Sequence, residues 1–101
     1  MNVTKNEIFQ KLKDQQNYLS SEYGLKRIGL FGSYARGTQT EESDIDLVAE
    51  FEKPIGLKFM DFTEFLEQLL GKKTDVLTPE GIKGIRNPSI AEKIQETVIY
   101  V

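Results

Sequence analysis

The 101 residues include no cysteine and no histidine, and 13 basic against 16 acidic side chains give a formal charge of −3. That excludes disulfides, thiolate zinc sites, cysteine nucleophiles and imidazole bases, so any bound metal must be a hard cation held by oxygen, with magnesium fitting best. The length suits one domain, residues 1–101, with one site. No apolar run approaches the roughly 20 residues of a membrane span, and Met1–Glu7 lacks the apolar block of a signal peptide. The acidic balance supplies no basic patch for DNA, so a cytoplasmic protein with neither a DNA nor a membrane partner is expected.

In chain order, Thr4-Lys5-Asn6-Glu7 has the form of a capping box, and Ile8, Phe9, Leu12 and Leu19 follow at helical spacing. This predicts a first helix from Thr4 to Tyr23, stopped by Gly24. Arg27–Phe31 reads as a short buried strand that delivers the chain to Gly32-Ser33. Tyr34-Ala35-Arg36 then makes a short helix ended by Gly37, and Thr38–Ser43 is a polar surface loop. The second strand, Asp44–Phe51, has two unlike faces: Ile45, Leu47, Ala49 and Phe51 on the core side, and Asp44, Asp46, Val48 and Glu50 on the other.

Pro54 and Gly56 break the chain, after which Phe59, Phe62, Leu66, Leu69 and Leu70 give an amphipathic helix ending at Gly71. Lys72-Lys73 reads as a charged turn before a third strand, Thr74–Leu77. Thr78-Pro79 and Asn87-Pro88 are two successive signals of an N-cap followed by proline, and Ile90 with Ile94 gives a short helical stripe. Thr97–Val101 closes as a strand. Alternation of helices and strands implies an α/β (α+β) fold with a small mixed β-sheet covered by helices.

The chemistry concentrates in residues 32–46. Strand alternation points Asp44 and Asp46 to one face, where two carboxylates can share a divalent cation. Gly32 and Ser33 end the preceding strand, and backbone N–H groups entering a helix there suit phosphate oxygens. Asp-x-Asp alone is most often a solvated strand face. Here Gly32-Ser33, the basic Arg36 and a third aspartate, Asp75 on a later strand, agree on one site. Three carboxylates converging in a half-buried sheet repel one another without a cation.

Gly32-Ser33, ten intervening residues and Asp44-Ile45-Asp46 resemble the signature of nucleotidyltransferases related to DNA polymerase beta. Gly32-Ser33-Tyr34-Ala35-Arg36-Gly37, Ser43-Asp44-Ile45-Asp46-Leu47 and Asp75-Val76-Leu77-Thr78-Pro79-Glu80 are most similar to one branch, the minimal nucleotidyltransferase antitoxins of the MntA type. The resemblance runs from Tyr23 to the C-terminal strand. It implies the polymerase beta-like fold, with Asp44 and Asp46 holding Mg²⁺ on a triphosphate, and Asp75 completing a second metal position and serving the attacking hydroxyl. Mn²⁺ is an alternative ion. Ser33, with the amides of Gly32 and Ser33, would grip the terminal phosphates. The implied activity is transfer of AMP from ATP to a tyrosine of a HEPN-domain toxin, with release of pyrophosphate.

Arg36 reads two ways, as a fork for phosphate oxygens or as a surface ion pair with Glu41 or Glu42. Tyr34 reads as packing and Glu50 as solvated. Phe59, Phe62 and Phe65 read as core, although Phe65 or the Ile82-Ile85 pair would also serve a partner surface. Two other functions stay open: an antitoxin that neutralises its partner by binding alone, and a small-molecule nucleotidyltransferase.

Overall fold

Residues 3–101 are described in a computed structural model, and Met1 and Asn2 lie outside the described residues. The strands are β1 (Leu25–Phe31), β2 (Ile45–Phe51), β3 (Thr74–Leu77) and β4 (Ile99–Tyr100). They form one four-stranded sheet in the order β3-β2-β1-β4. β1 runs antiparallel to both β2 and β4, while β3 lies parallel to β2, so the sheet is mixed as expected.

The helices are α1 (Lys5–Asp14), α2 (Gln16–Tyr23), α3 (Gly32–Arg36), α4 (Lys58–Leu70), α5 (Pro79–Lys83) and α6 (Pro88–Thr97). Thr4 caps α1 by accepting the Glu7 N–H at 3.2 Å. The expected single helix from Thr4 to Tyr23 is instead two, interrupted at Gln15, whose N–H turns back to the Leu12 and Lys13 carbonyls. The halves serve different partners: α1 packs on α4 and α2 on β1. No glycine or proline marks this break, so the apolar spacing carried through it unchanged. The last strand is also shorter than expected, because α6 continues through Thr97.

Two apolar layers sandwich the sheet. Ile45, Leu47 and Ala49 of β2 face the larger core, with Ile8 and Leu12 of α1, Leu19 of α2, and Phe62, Leu66 and Leu70 of α4, all fully buried. The opposite face carries a smaller cluster of Phe31, Val48 and Ile82, packed by Ile85 and Ile94. Val48 is thus buried on the same strand face as the aspartates. Ile82 belongs to this core, and Ile85 packs against it half-buried. Among the described residues no helix is long and apolar enough to cross a membrane.

Candidate active site

Strand register assembles the site. Asp46 stands opposite Phe31 of β1 on one side and opposite Asp75 of β3 on the other. Paired positions on neighbouring strands lie about 5 Å apart, which brings Asp46 and Asp75 side by side. Gly32 follows Phe31 directly, so Asp46 has a carboxylate on one flank and the start of α3 on the other. This face is covered only in part by α5 and α6, leaving Asp46 half-buried and Asp75 exposed.

Gly32 has φ 74°, in the left-handed region, and a Cβ placed on it would overlap Asp46 Oδ2 and lie 3.1 Å from Cγ. Only glycine allows both the turn and the close approach. Ser33 is half-buried in the first turn of α3, and its carbonyl accepts the N–H groups of Gly37 and Thr38, the latter at 3.0 Å. Tyr34 is buried, as expected, and anchors α3 to the larger core.

Burial raises the Asp46 pKa above the ordinary carboxylate value of 3.8, and the charges of Asp75 and Asp44 push it further up. Arg36 acts in the opposite direction. The three aspartates and Arg36 therefore share one electrostatic environment. The alternative ion pairs of Arg36 with Glu41 or Glu42 are absent among the described residues.

Among the described residues no three acidic side chains draw together closely enough to enclose a metal ion by themselves. Lys73 Nζ lies 3.9 Å from Asp44 Oδ2. The donor set nevertheless fits a hard divalent cation: all oxygen, from Asp46 and Asp75 at paired strand positions and from Asp44 just before β2, with the pKa of Asp46 raised first by burial and then by the other two carboxylates.

Several positioning residues escaped the sequence reading. The Glu67 carboxylate on α4 accepts the Thr74 N–H at 3.1 Å, fixing β3 one residue before Asp75. Lys72 and Lys73 are more than a charged turn: Lys72 Nζ donates to the Glu41 carbonyl, and the Lys73 carbonyl accepts the Ile45 N–H at 3.0 Å. Ser43 Oγ accepts the Thr40 N–H at 2.9 Å, closing the loop that enters β2. Glu50 is not simply solvated, since Arg27 Nε lies 2.6 Å from its Oε2. None of these contacts joins residues at a spacing that a linear motif would reveal, except the local Thr40–Ser43 pair.

The sequence matches the nucleotidyltransferase domain family over residues 12–101. The chain belongs to that family. A Methanocaldococcus jannaschii protein provisionally named a protein adenylyltransferase is 44% identical over 101 residues, covering 97% of this chain and 98% of its own. Protein adenylyltransferase MntA of Thermococcus cleftensis is 37% identical, covering 98% and 97%. Among solved structures, one provisionally named a minimal nucleotidyltransferase superposes with a TM-score of 0.75 at 27% identity, covering 97% of this chain and 96% of that one. A complex of a tri-AMPylated Shewanella oneidensis HEPN toxin with an MNT antitoxin contains a chain matched at TM-score 0.55 and 18% identity, covering 95% and 66%, a likeness of fold alone. The chain is thus a nucleotidyltransferase with the minimal nucleotidyltransferase fold.

Proposed function

We propose that this nucleotidyltransferase, acting as one domain over residues 1–101, transfers AMP from ATP to a tyrosine hydroxyl of a HEPN-domain toxin and so serves as its antitoxin. The observation that carries the reading is the placement of Asp46 between Asp75 and Gly32 on neighbouring strands. An entering hydroxyl on the Asp75 side and a leaving pyrophosphate on the Gly32 side form an in-line pair about Asp46. The names of the sequence relatives support adenylyl transfer to protein, and the fold neighbour supports the kind of partner. The abundance of ATP in the cytoplasm supports a reaction there.

The chain's own groups divide the work. Asp44, Asp46 and Asp75 would hold Mg²⁺, or Mn²⁺ in its place, which when bound neutralises phosphate charge and polarises the reacting oxygens. The amides of Gly32 and Ser33, the Ser33 hydroxyl and the Arg36 guanidinium hold the triphosphate in line. Asp75, exposed beside Asp46, orients the acceptor hydroxyl and receives its proton. The tyrosyl oxygen bonds to the α-phosphorus as the bond from that phosphorus to the bridging oxygen breaks, and pyrophosphate leaves with the electron pair. Positioning and charge neutralisation dominate such chemistry, so a domain this small suffices.

The test is an intact-mass spectrum of the toxin that copurifies with wild type or with Asp46→Asn. AMP units on the toxin with wild type alone are expected. Unmodified toxin in both preparations, still held and silenced, would replace this reading with neutralisation by binding.

A further inference from the structure

Helix α6 has no part in the transfer just described, yet it walls a cavity that opens on Gly32. The cavity measures about 250 Å³ and lies between α3 and α6, with Phe31 and Gly32 at its base, Arg36 on one side and Ile90, Lys93 and Ile94 on the other. Residues 90, 93 and 94 stand at i, i+3 and i+4 spacing and share one face of α6. That face would ordinarily be core, but no α6 residue is fully buried and Ile90 is 49% exposed. Ile94 packs against the Phe31–Val48–Ile82 cluster, while Ile90 and Lys93 are left exposed along the slot.

Charge identifies what the slot takes. Arg36 and Lys93 both line it, and among the described residues neither forms an ion pair. Both cations are exposed at the rim of this mostly apolar slot, where a single anion would be attracted by the two of them together. Strand order places the slot on the Gly32 flank of Asp46, away from Asp75. In an in-line displacement this is the flank by which the leaving group departs.

We propose that Lys93 of α6 completes, with Arg36, a two-cation clamp on the β- and γ-phosphates of the bound nucleoside triphosphate, and on the pyrophosphate released from it. The inference rests on the transferase reading for the identity of the anion. It assigns Lys93 as a substrate-binding residue and makes α6 the outer wall of the phosphate site.

Titration calorimetry of the full chain with pyrophosphate and, separately, AMP, each with Mg²⁺, tests the clamp. Wild type, Lys93→Ala, Lys93→Arg and a charge control, Lys13→Ala on α1, are compared, alongside the KM for ATP in toxin modification. Losing one charge-assisted phosphate contact should weaken pyrophosphate binding about tenfold in Lys93→Ala and raise the KM for ATP similarly, with AMP binding unchanged. Lys93→Arg should restore most of the loss, and Lys13→Ala should match wild type. Unchanged pyrophosphate binding in a folded Lys93→Ala, or an equal loss in Lys13→Ala, overturns the clamp while toxin modification by wild type still upholds the transferase. Lys93-dependent pyrophosphate binding without modification by wild type overturns the transferase and keeps the clamp.

Discussion

Gly32 approaches Asp46 so closely that one added carbon would overlap the carboxylate oxygen Oδ2 and sit 3.2 Å from the Asp46 Cβ. The backbone turn and the central carboxylate therefore occupy mutually dependent positions. Gly32→Ala must strain a residue at φ 74° and displace Asp46 at the same time. A stability loss of about 1–2 kcal/mol is expected from the left-handed backbone, and misplacement of a reacting group by an ångström lowers kcat by about a hundredfold. Gly24 and Gly71 separate the two effects, because each is left-handed with nothing within 4 Å of its would-be Cβ. Gly24→Ala and Gly71→Ala should lose comparable stability in urea denaturation but keep wild-type kcat. A wild-type kcat in Gly32→Ala would show that Asp46 tolerates displacement.

Glu67 governs Asp75 from a distance. Its carboxylate accepts the Thr74 N–H at the entry to β3, and Thr74 is itself buried. Removing a charged acceptor from this part-buried donor should cost about 1–3 kcal/mol and loosen the strand that aligns Asp75 with Asp46. Glu67→Ala is expected to lower kcat about tenfold while KM for ATP stays near wild type, because the proposed triphosphate site lies on the Gly32 flank. Glu67→Gln keeps an accepting oxygen and should recover most of the rate. Denaturation and steady-state kinetics on the two variants check both parts, and equal kcat in wild type and Glu67→Ala would remove Glu67 from the positioning of Asp75.

The residues of the candidate site were legible because their chemistry is local in sequence: a strand end, a glycine turn and an alternating strand place Gly32, Ser33, Asp44 and Asp46 within a short stretch. Asp75 was legible as an isolated charge in an apolar strand, and the parallel register of β2 and β3 brings it beside Asp46. Glu67 and Lys73 were not legible. Their importance lies in contacts with Thr74, Ile45 and Asp44 that form only after α4 turns the chain back to the sheet. The break at Gln15 was hidden for a different reason. Ile8, Leu12, Leu19 and Tyr23 keep a helical stripe across it, so periodicity reports one helix where tertiary packing on α4 and β1 makes two.

The half-buried Asp46 carboxylate costs the fold stability at neutral pH. Its pKa is raised by burial and by its neighbouring carboxylates, so the folded state holds the proton more tightly than the unfolded chain. With more protons bound when folded, stability falls as pH rises from the ordinary value of 3.8 through the raised one. The penalty is absent below 3.8 and complete above the raised value. Asp46→Asn lacks it. In metal-free buffer at neutral pH the variant should therefore melt at a higher temperature than wild type, and the difference should close in acid. Added Mg²⁺ should raise the Tm of wild type more than that of the variant. Thermal melts across pH, with and without Mg²⁺, decide this; a lower Tm for Asp46→Asn in metal-free neutral buffer would mean that the Asp46 charge is compensated within the fold.

Gly29 sets how closely the C-terminal strand can lie against β1. It pairs with Tyr100, and a Cβ there would meet Val98 Cγ2 at 2.6 Å and Tyr100 Cδ1 at 2.9 Å. The Tyr100 ring cannot swing away freely, since the Arg27 guanidinium lies over it, 4.1 Å from its centroid. Gly29→Ala should therefore overpack this contact and cost about 1–3 kcal/mol. Strand β4 is short, so the strain is relieved most readily by releasing it from β1. Hydrogen exchange reads the result directly: the Val101 N–H, bonded to the Ile28 carbonyl at 2.9 Å, should lose protection in the variant while amides in the middle of β2 keep theirs. Because Val98 joins α6 to β4, the same displacement should reach the wall of the Arg36–Lys93 cavity and raise the KM for ATP. Unaltered Val101 protection would mean that Val98 and Tyr100 absorb the added carbon without releasing the strand.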